Sequence, residues 1–486
     1  MALAVFSPGP RAASLRRTPQ QLLAAATGAL LLSPLAGQAD PGLPPAVLKN
    51  EQPIPGCAWL VKSNIALSNW ALPNQATTYW SHPYKIQEGE KLVLLGKFPG
   101  NKHQATRFFS LQTYDKFGVF VDTLFDGQIA PLKPGQPNPY TPKGALNPVY
   151  GRYMIEILPA QAGRKGPNQM WGYPQQAPGA SAEVPYGVLM LRYIGAPDQT
   201  VNEAKYGPGP GEFGGAGGQG GVPLPSLFLV DRTNSWRPIR LCLPAVRAAF
   251  ARDSDPGRLA LPLVSYQQAG PVFVRPASTD GVFPNDANAY LTAQANYKPD
   301  VALLLEGRVP RTPNSLAGQA PGSPNQQLRY WSICVNENAY PIPLTQPEGC
   351  LDDQQVLHAP GRKGDRFLAL VVRESDLKRA FTPQERQELR KAGVFVLNWF
   401  TEDENNPAAT PTSSPITLLL RNVPSGRKHD PFQSQAGNVP AGSPPAVAQR
   451  VMGNYAVSIR QVPLRDVLRE VRRQQGRSNN GQAAQP

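Results

Sequence analysis

The most constraining feature of this 486-residue chain is that it repeats itself at long range. Four segments recur in the same order, and the first two recur at a constant offset of 211 residues, as from Gly96 to Gly307. The long period excludes a solenoid of short repeats and predicts two domains of the same fold. The matching pairs are LPNQATTYW (72–80) with FPNDANAYL (283–291), LVLLGKFP (92–99) with LLLEGRVP (303–310), RFFSLQTYD (107–115) with RYWSICVNE (329–337), and GVLMLRYI (187–194) with ITLLLRNV (416–423).

Short apolar runs, such as KLVLLGKF and RYMIEIL, fill both copies, and clusters of Pro, Gly and Asn separate them. The chain has 44 glycines and 55 prolines but only 17% charged residues, which is typical of turn-rich β structure. We therefore predict a mainly β fold: two tandem antiparallel β-sandwich (jelly-roll-like) domains from an internal duplication, with a few short helices. In RYWSICVN, alternation predicts one face with Tyr330, Ser332 and Cys334 and another with Trp331, Ile333 and Val335.

The chain is predicted to divide into six parts. The run YGPGPGEFGGAGGQGGVPLP is too rich in Gly for a core and is typical of a flexible linker. The predicted parts are a signal peptide (1–39), a first β-sandwich (40–205), a Gly/Pro-rich linker (206–225), a second β-sandwich (226–425), a polar linker (426–445), and a basic helix with a disordered tail (446–486).

The N-terminus has the pattern of an export signal. Arg11, Arg16 and Arg17 precede the apolar run LLAAATGALLLSPLAG, and small residues allow cleavage after Ala39. The apolar run is short for a retained membrane anchor and contains Pro34 near its end. We expect export to the periplasm or the cell surface.

Four cysteines in an exported chain predict two disulfides. Cys334 with Cys350 closes a short loop, and Cys57 with Cys242 follows partly by elimination. No CxxC motif occurs and the four histidines lie at irregular spacings, so we expect no metal site and no cofactor.

Two helices have clear sequence signals. FTPQERQELRKAG has Thr382 as N-cap, Pro383 at the first helical position, Glu385 completing a capping box, and Gly393 after the last turn. PAVRAAFARDSDPG (244–257) predicts a second helix between the copies.

The C-terminal segment PLRDVLREVRRQQGR predicts a third helix, because Leu464, Val467, Leu468 and Val471 fall at helical spacing. One interpretation is a helix docked on the protein's own sandwich. The other is attachment to acidic envelope polymers or lipid headgroups through the arginines. We expect no nucleic acid partner, because no recognised binding motif is present. The arginines are Arg465, Arg469, Arg472, Arg473 and Arg477.

The combination PNxAxxY, an apolar strand, and R(F/Y)(F/W)S resembles two bacterial families known as domains of unknown function 1254 and 1214. The family motif PNxDTxY is altered here to Ala76-Thr77 and Ala287-Asn288. The resemblance implies an exported protein rich in β-sandwich structure, and it implies no particular reaction. The matching residues are Pro73, Asn74, Tyr79, Arg107, Ser110, Gln112 and Asp115 in the first copy, and Pro284, Asn285, Tyr290, Arg329 and Ser332 in the second.

Polar residues kept in both copies are most simply explained by the shared fold. The asparagines are expected to cap turns, and the tyrosines to bury a ring and return the hydroxyl to a carbonyl. Each arginine begins a strand and is expected to pair with an acid at the far end of that strand. These predicted scaffold residues are Asn74, Tyr79, Arg107, Asn285, Tyr290 and Arg329.

The cluster TTYWSHPY (77–84), which occurs only in the first copy, is the better candidate for ligand binding. Aromatic platforms with a few polar groups suit sugar rings or small amphipathic ligands, although alternating aromatics in a strand also pack in cores. The pairs Asp122/Asp126 and Asp352/Asp353 suit glycoside hydrolysis if they flank a cleft, and otherwise serve as turn or surface residues. The candidate ligand-binding residues are Tyr79, Trp80, His82, Tyr84 and Asp126.

No GxSxG, HExxH or P-loop motif occurs in the chain. The sequence therefore predicts an exported cell-envelope protein with a non-catalytic binding or structural role through its paired sandwiches. The alternative is a periplasmic enzyme acting on a glycan or small molecule, with its site near the aromatic and histidine cluster of the first copy.

Overall fold

The computed structural model describes most of the two predicted sandwiches. The predicted signal peptide, Asn74 and Asn285 lie outside the described residues. All described residues belong to one compact unit. The described residues are 56–63, 76–99, 106–115, 118–146, 148–159, 165–174, 186–195, 222–243, 246, 271–276, 287–296, 298–314, 319, 321, 325–337, 342–343, 349–359, 364–399, 416–425 and 432–482.

The first copy consists of two five-stranded sheets. Their strand orders are β1-β2-β8-β4-β5 and β10-β9-β3-β6-β7. The strands are β1 (Val61–Ser63), β2 (Thr77–Tyr84), β3 (Lys91–Lys97), β4 (Phe108–Asp115), β5 (Phe120–Phe125), β6 (Arg152–Leu158), β7 (Gln169–Trp171), β8 (Gly187–Ile194), β9 (Ser226–Val230) and β10 (Trp236–Ile239).

The second copy also consists of two sheets. One has the order β11-β18-β13-β14, with β15 beside β13, and the other has the order β17-β16-β12-β19. The strands are β11 (Ala289–Ala295), β12 (Val301–Arg308), β13 (Leu328–Glu337), β14 (Ile342–Pro343), β15 (Cys350–Asp352), β16 (Arg366–Val372), β17 (Val394–Asn398), β18 (Ile416–Pro424) and β19 (Ser458–Pro463).

The two copies share one topology. In each copy the last matched strand, β8 or β18, lies between the first and third, and a later strand, β9 or β19, pairs with β3 or β12. The predicted mainly β fold of two sandwiches is confirmed. Most strand pairs are antiparallel, and one strand pair in each copy, β6 with β7 and β16 with β17, is parallel. In the second copy two helices supply the crossover that a parallel pair needs.

Inward-facing residues of each sandwich alternate along the strands and form its core. In β13 the alternation is as predicted, because Trp331, Ile333 and Val335 lie in the core of the second sandwich. The repeated glycines have a packing reason. A Cβ on Gly96 would lie 2.4 Å from the ring of Tyr153, and a Cβ on Gly307 would lie 2.9 Å from the ring of Phe367. An aromatic ring of the neighbouring strand occupies this space in both copies.

The structure extends each copy beyond the predicted boundaries. Strand β9 was predicted in the second sandwich but pairs with β3 of the first, and β19 lies in the predicted basic segment but pairs with β12. The described part of the predicted polar linker contributes Phe432, Ala436 and Val439 to the second core. Apolar side chains in that segment are sufficient to anchor it. Of the Gly/Pro-rich linker, residues 206–221 lie outside the described residues.

The predicted helix after Thr382 is confirmed with its cap. It spans Pro383–Lys391, the Thr382 side chain accepts a hydrogen bond from the Glu385 N–H, and Gly393 has a φ of +70°. Only Val246 of the predicted helix at 244–257 is described. The helices are α1 (Pro142–Leu146), α2 (Asp353–Leu357), α3 (Glu374–Ala380), α4 (Pro383–Lys391), α5 (Pro445–Met452) and α6 (Val467–Gln482), with 3-10 turns at Asp126–Gln128, Ala436–Asn438, Gly453–Tyr455 and Leu464–Asp466.

The C-terminal helix α6 is docked on the second sandwich. Leu464, Val467 and Val471 are buried against the outer face of the sheet containing β12. The helix continues to Gln482, so most of the predicted free tail is helical. No helix among the described residues is long and apolar enough to cross a membrane.

Both predicted disulfides are confirmed. Cys57 bonds Cys242, and Cys334 bonds Cys350. The first bond joins the chain before β1 to the chain after β10, and Cys242 packs with Tyr79 and Met190 on the sheet that contains β2.

Removing the Cys57–Cys242 bond is expected to lower the free energy of unfolding by about 5 kcal/mol, because its sequence separation of 185 closes a long loop. The matched control is removal of Cys334–Cys350, which closes a separation of 16 and is expected to cost about 3 kcal/mol. Urea unfolding of the two paired Cys→Ser variants measures both values. An equal or larger loss in the control would contradict the loop-length order.

Candidate functional site

The predicted aromatic cluster lies on strand β2 and is buried. Trp80 and Tyr84 point into the first core, and Tyr79 packs on the opposite face of the sheet. Trp80 is 0% exposed and His82 is 5% exposed. The alternating aromatic side chains are therefore packing residues on the two faces of the sheet. They do not form an open platform for a sugar ring.

His82 lies in an apolar environment beside Trp59, with the two ring centroids 6.5 Å apart. Burial lowers the pKa of His82 to about 4, against a smaller raising effect of a hydrogen bond with the Cys57 backbone. The ring is thus neutral near pH 7, where it is a weak base. Tyr84 donates its hydroxyl hydrogen bond to the Gly172 carbonyl, and burial raises its pKa well above the ordinary value.

Asp126 is fully buried at the start of the Asp126–Gln128 turn. Its Oδ2 accepts a hydrogen bond from the Phe109 N–H at 3.0 Å, and its Oδ1 accepts one from Arg329 Nη1. Burial raises the pKa of Asp126 to about 6, because desolvation of the carboxylate outweighs the opposing charge of Arg329.

A second buried ion pair joins Arg107 to Asp353. Arg107 Nη1 donates to Asp353 Oδ1 at 2.7 Å, Nη2 donates to Oδ2, and both side chains are 0% exposed. Burial acts to lower the pKa of Arg107, but the charge and hydrogen bonds of Asp353 outweigh it and raise that pKa. The predicted partner, an acid at the far end of the same strand, is wrong for both arginines. Each arginine pairs instead with an aspartate of the other sandwich.

Arginines stacked on tyrosines lie beside these ion pairs. Arg192 lies 5.0 Å from the ring centroid of Tyr79 and donates to the Tyr114 hydroxyl, and Arg421 lies 5.4 Å from the ring of Tyr290. The Tyr290 hydroxyl accepts a hydrogen bond from the side chain of Asn288 at 3.2 Å, whereas a carbonyl partner was predicted. The sequence did signal the two arginines, since GVLMLRYI and ITLLLRNV keep them at matching positions.

The other candidate carboxylates also have structural partners. Asp122 accepts from Lys165 at 2.6 Å and from the Trp171 N–H at 2.8 Å. Asp352 caps helix α2 by accepting from the Gln355 N–H at 2.9 Å. Within the described part of the chain, no group of three or more His, Cys, Asp or Glu side chains is placed to hold a metal ion.

No protein-family model matches this chain, and no curated protein matches it either. Two solved structures show weak similarity. The crystal structure of an uncharacterized protein from Burkholderia cenocepacia has 12% identity and a TM-score of 0.40, and the match covers 82% of this chain and 79% of that chain. The ANX2 ectodomain from Arabidopsis thaliana has 9% identity and a TM-score of 0.13, with coverage of 79% and 80%. Both TM-scores are too low to support an argument. The resemblance to the domains of unknown function 1254 and 1214 stays a hypothesis.

Two buried groups are expected to give opposite pH dependences of stability. Asp126 binds a proton more readily in the folded state, so its contribution falls as pH rises from about 4 to about 6. His82 binds a proton less readily in the folded state, so its contribution rises from about pH 4 to about 6.5. Each effect is about 3 kcal/mol at about 1.4 kcal/mol per pH unit, and in the wild type the two largely cancel.

Replacing either group is therefore expected to reveal the pH dependence that the other group gives to the free energy of unfolding. In Asp126→Asn the free energy of unfolding should rise with pH between about 4 and 6, and in His82→Gln it should fall over the same range. Urea unfolding at a series of pH values measures both slopes. Asp353→Asn is the control, because it leaves Asp126 and His82 in place. Equal slopes in all three variants would contradict the burial effects.

Proposed function

We propose that this protein is an exported, non-catalytic component of the cell envelope, in which the paired sandwiches form a rigid body that binds or supports another envelope component. One observation carries the proposal: the residues best suited to chemistry are buried and already committed to structural contacts. Asp126 and Asp353 bond arginines, Asp122 bonds a lysine, Asp352 caps a helix, and His82 is a neutral packing residue.

The redox state of the cysteines supports the location. Two disulfides, Cys57–Cys242 and Cys334–Cys350, are typical of an oxidising compartment outside the cytosol. The export signal predicted at residues 1–39 agrees with this location, as does the resemblance to the exported families of domains 1254 and 1214. Export to the periplasm or cell surface is part of the proposal.

The non-catalytic role is tested by incubating the mature chain, from Asp40 onward, with envelope glycans and measuring products by mass spectrometry. We expect no turnover, because hydrolysis needs two carboxylates about 5 to 10 Å apart across a cleft. Product formation that disappears in His82→Gln, with the melting temperature unchanged, would contradict the proposal and favour a periplasmic enzyme.

The second part of the proposal concerns attachment through helix α6. Val467 and Val471 bury one side of the helix, while Arg469, Arg472 and Arg473 point outward with side-chain exposures of 75%, 68% and 56%. Docking and attachment are therefore compatible, because they use opposite sides of one helix. The ligand chemistry that fits is the phosphate or carboxylate of lipid headgroups or acidic envelope polymers.

The outward arginines have carboxylate partners that are easily exchanged. Arg469 pairs with Asp466 at 3.0 Å, and Arg472 pairs with Glu388 of helix α4 at 2.9 Å. Exposed pairs of this kind contribute little to stability, so an external anion can replace the internal partner at low cost. Arg465 adds another exposed positive charge beside them.

Replacing Arg469, Arg472 and Arg473 by glutamine is expected to weaken binding to phosphatidylglycerol vesicles about 100-fold, from about 1 kcal/mol per basic residue at the surface. Co-sedimentation at low and high salt measures this loss, and phosphatidylcholine vesicles give the uncharged reference. A parallel measurement with soluble polyglutamate distinguishes a polymer ligand from a lipid surface. Truncation is unsuitable, because the segment after Pro445 includes β19 of the second sandwich.

The matched control is replacement of Arg152, Arg232 and Arg240 by glutamine, which removes the same charge from exposed positions of the first copy. This control should keep wild-type binding. An equal loss in both variants would indicate only a general effect of net charge, and it would contradict attachment through helix α6.

A further inference from the structure

Strands at the centre of one sheet in each copy are buried on both faces. All of β8 is buried, and so are β4 and β18 except for their last residues. A sandwich of antiparallel sheets normally leaves the outer face of each sheet in water. Here the two copies cover each other's outer faces. Three apolar positions from each copy meet in one cluster: Ala76, Phe108 and Ile194 with Ala287, Tyr330 and Val423.

These six residues are three pairs of equivalent positions. Ala76 and Ala287 differ by the repeat offset of 211, and Phe108 and Tyr330 each follow the repeated arginine. Ile194 and Val423 end the matching segments GVLMLRYI and ITLLLRNV. The same face of each sandwich is therefore used for the contact. The repeated alanine has a packing reason, since a small side chain lets the faces approach closely.

The buried ion pairs have the same symmetry. Ser110 pairs with Phe125 across strands β4 and β5, and the equivalent Ser332 pairs with Asp352 across β13 and β15. The next residues, Asp126 and Asp353, are thus equivalent, as are Arg107 and Arg329. The pairs cross between the copies, because Arg107 bonds Asp353 and Arg329 bonds Asp126. A contact in which i meets j and j meets i is isologous, as in a two-fold homodimer.

We propose that the two sandwiches form an internal dimer through a self-complementary face, and that this face, not the connecting segment, holds them together. Each copy carries both the guanidinium and the carboxylate of the contact. The partner that fits the face is therefore the same face of the other sandwich, whether it comes from the same chain or from a second copy of this chain. The contact is not fully symmetric, since Arg329 also donates to the carbonyls of Tyr140 and Ser425.

The test begins with the full chain carrying a protease recognition sequence within residues 258–270, after the Cys57–Cys242 disulfide and before β11, so that each disulfide stays inside one fragment. The folded protein is cut there and analysed by size-exclusion chromatography with light scattering. We expect both fragments to elute together with the mass of the uncut chain at micromolar concentration. Separation of the fragments would overturn the proposal.

Two charge-reversal variants with unchanged net charge then test the crossed pairing. Arg107→Asp with Asp353→Arg reverses one pair across the copies and keeps it complementary. Arg107→Asp with Asp126→Arg puts like charges together at both contacts. Both variants also lose one backbone N–H acceptor, since Asp353 accepts from Gln354 and Asp126 from Phe109.

After cleavage, the cross-copy variant should keep its fragments together, with a dissociation constant within about tenfold of wild type. The within-copy variant should weaken association at least about 100-fold, because like charges facing each other cost several kcal/mol. Equal association of the two variants would overturn the crossed pairing. If neither variant folds, the cleaved wild-type protein still decides whether the face alone holds the copies.

Discussion

The arrangement of this protein depends on two buried guanidinium–carboxylate pairs that cross between its sandwiches, Arg107–Asp353 and Arg329–Asp126. Burying an ion costs several kcal/mol, and a buried pair recovers this only with close geometry and further hydrogen bonds. The raised pKa of Asp126 is a direct sign of that cost. Such pairs add little net stability. Their effect is on specificity, since any shift of one sandwich against the other leaves a buried charge without its counter-charge.

This constraint explains why the polar residues of the repeat are kept in both copies. A two-fold contact needs the same donor and acceptor on each side, so the same residues are required in both halves of the chain. The stacked arginines, Arg192 on Tyr79 and Arg421 on Tyr290, are also equivalent between the copies, although each stacks on a tyrosine of its own copy. Among the described residues, the repeated arginines and tyrosines are thus accounted for by assembly. These repeated residues are therefore poor candidates for an active site, because they form the contact between the two sandwiches.

The sequence predicts what depends on local chemistry or on self-similarity. The helix cap at Thr382, the disulfide partners and the duplication were all accessible, because turn geometry, cysteine count and a constant offset are properties of the chain itself. The partners of Arg107 and Arg329 were not accessible. They lie 246 and 203 residues away, and alternation assigns a polar position such as Ser110 to water unless a second sheet is known to cover it.

The copies differ on the faces that point away from each other, because different surroundings cover the two outer sheets. In the second copy Ala302 and Leu370 are buried beneath the helices on the outer face. By register, the first copy has Lys91 and Glu156 at these positions, and they form a partly exposed ion pair. Apolar residues are expected where helices cover a sheet, and charged residues are expected where the sheet faces water. Function that belongs to one copy alone is therefore best sought on these outer surfaces, where the two copies differ.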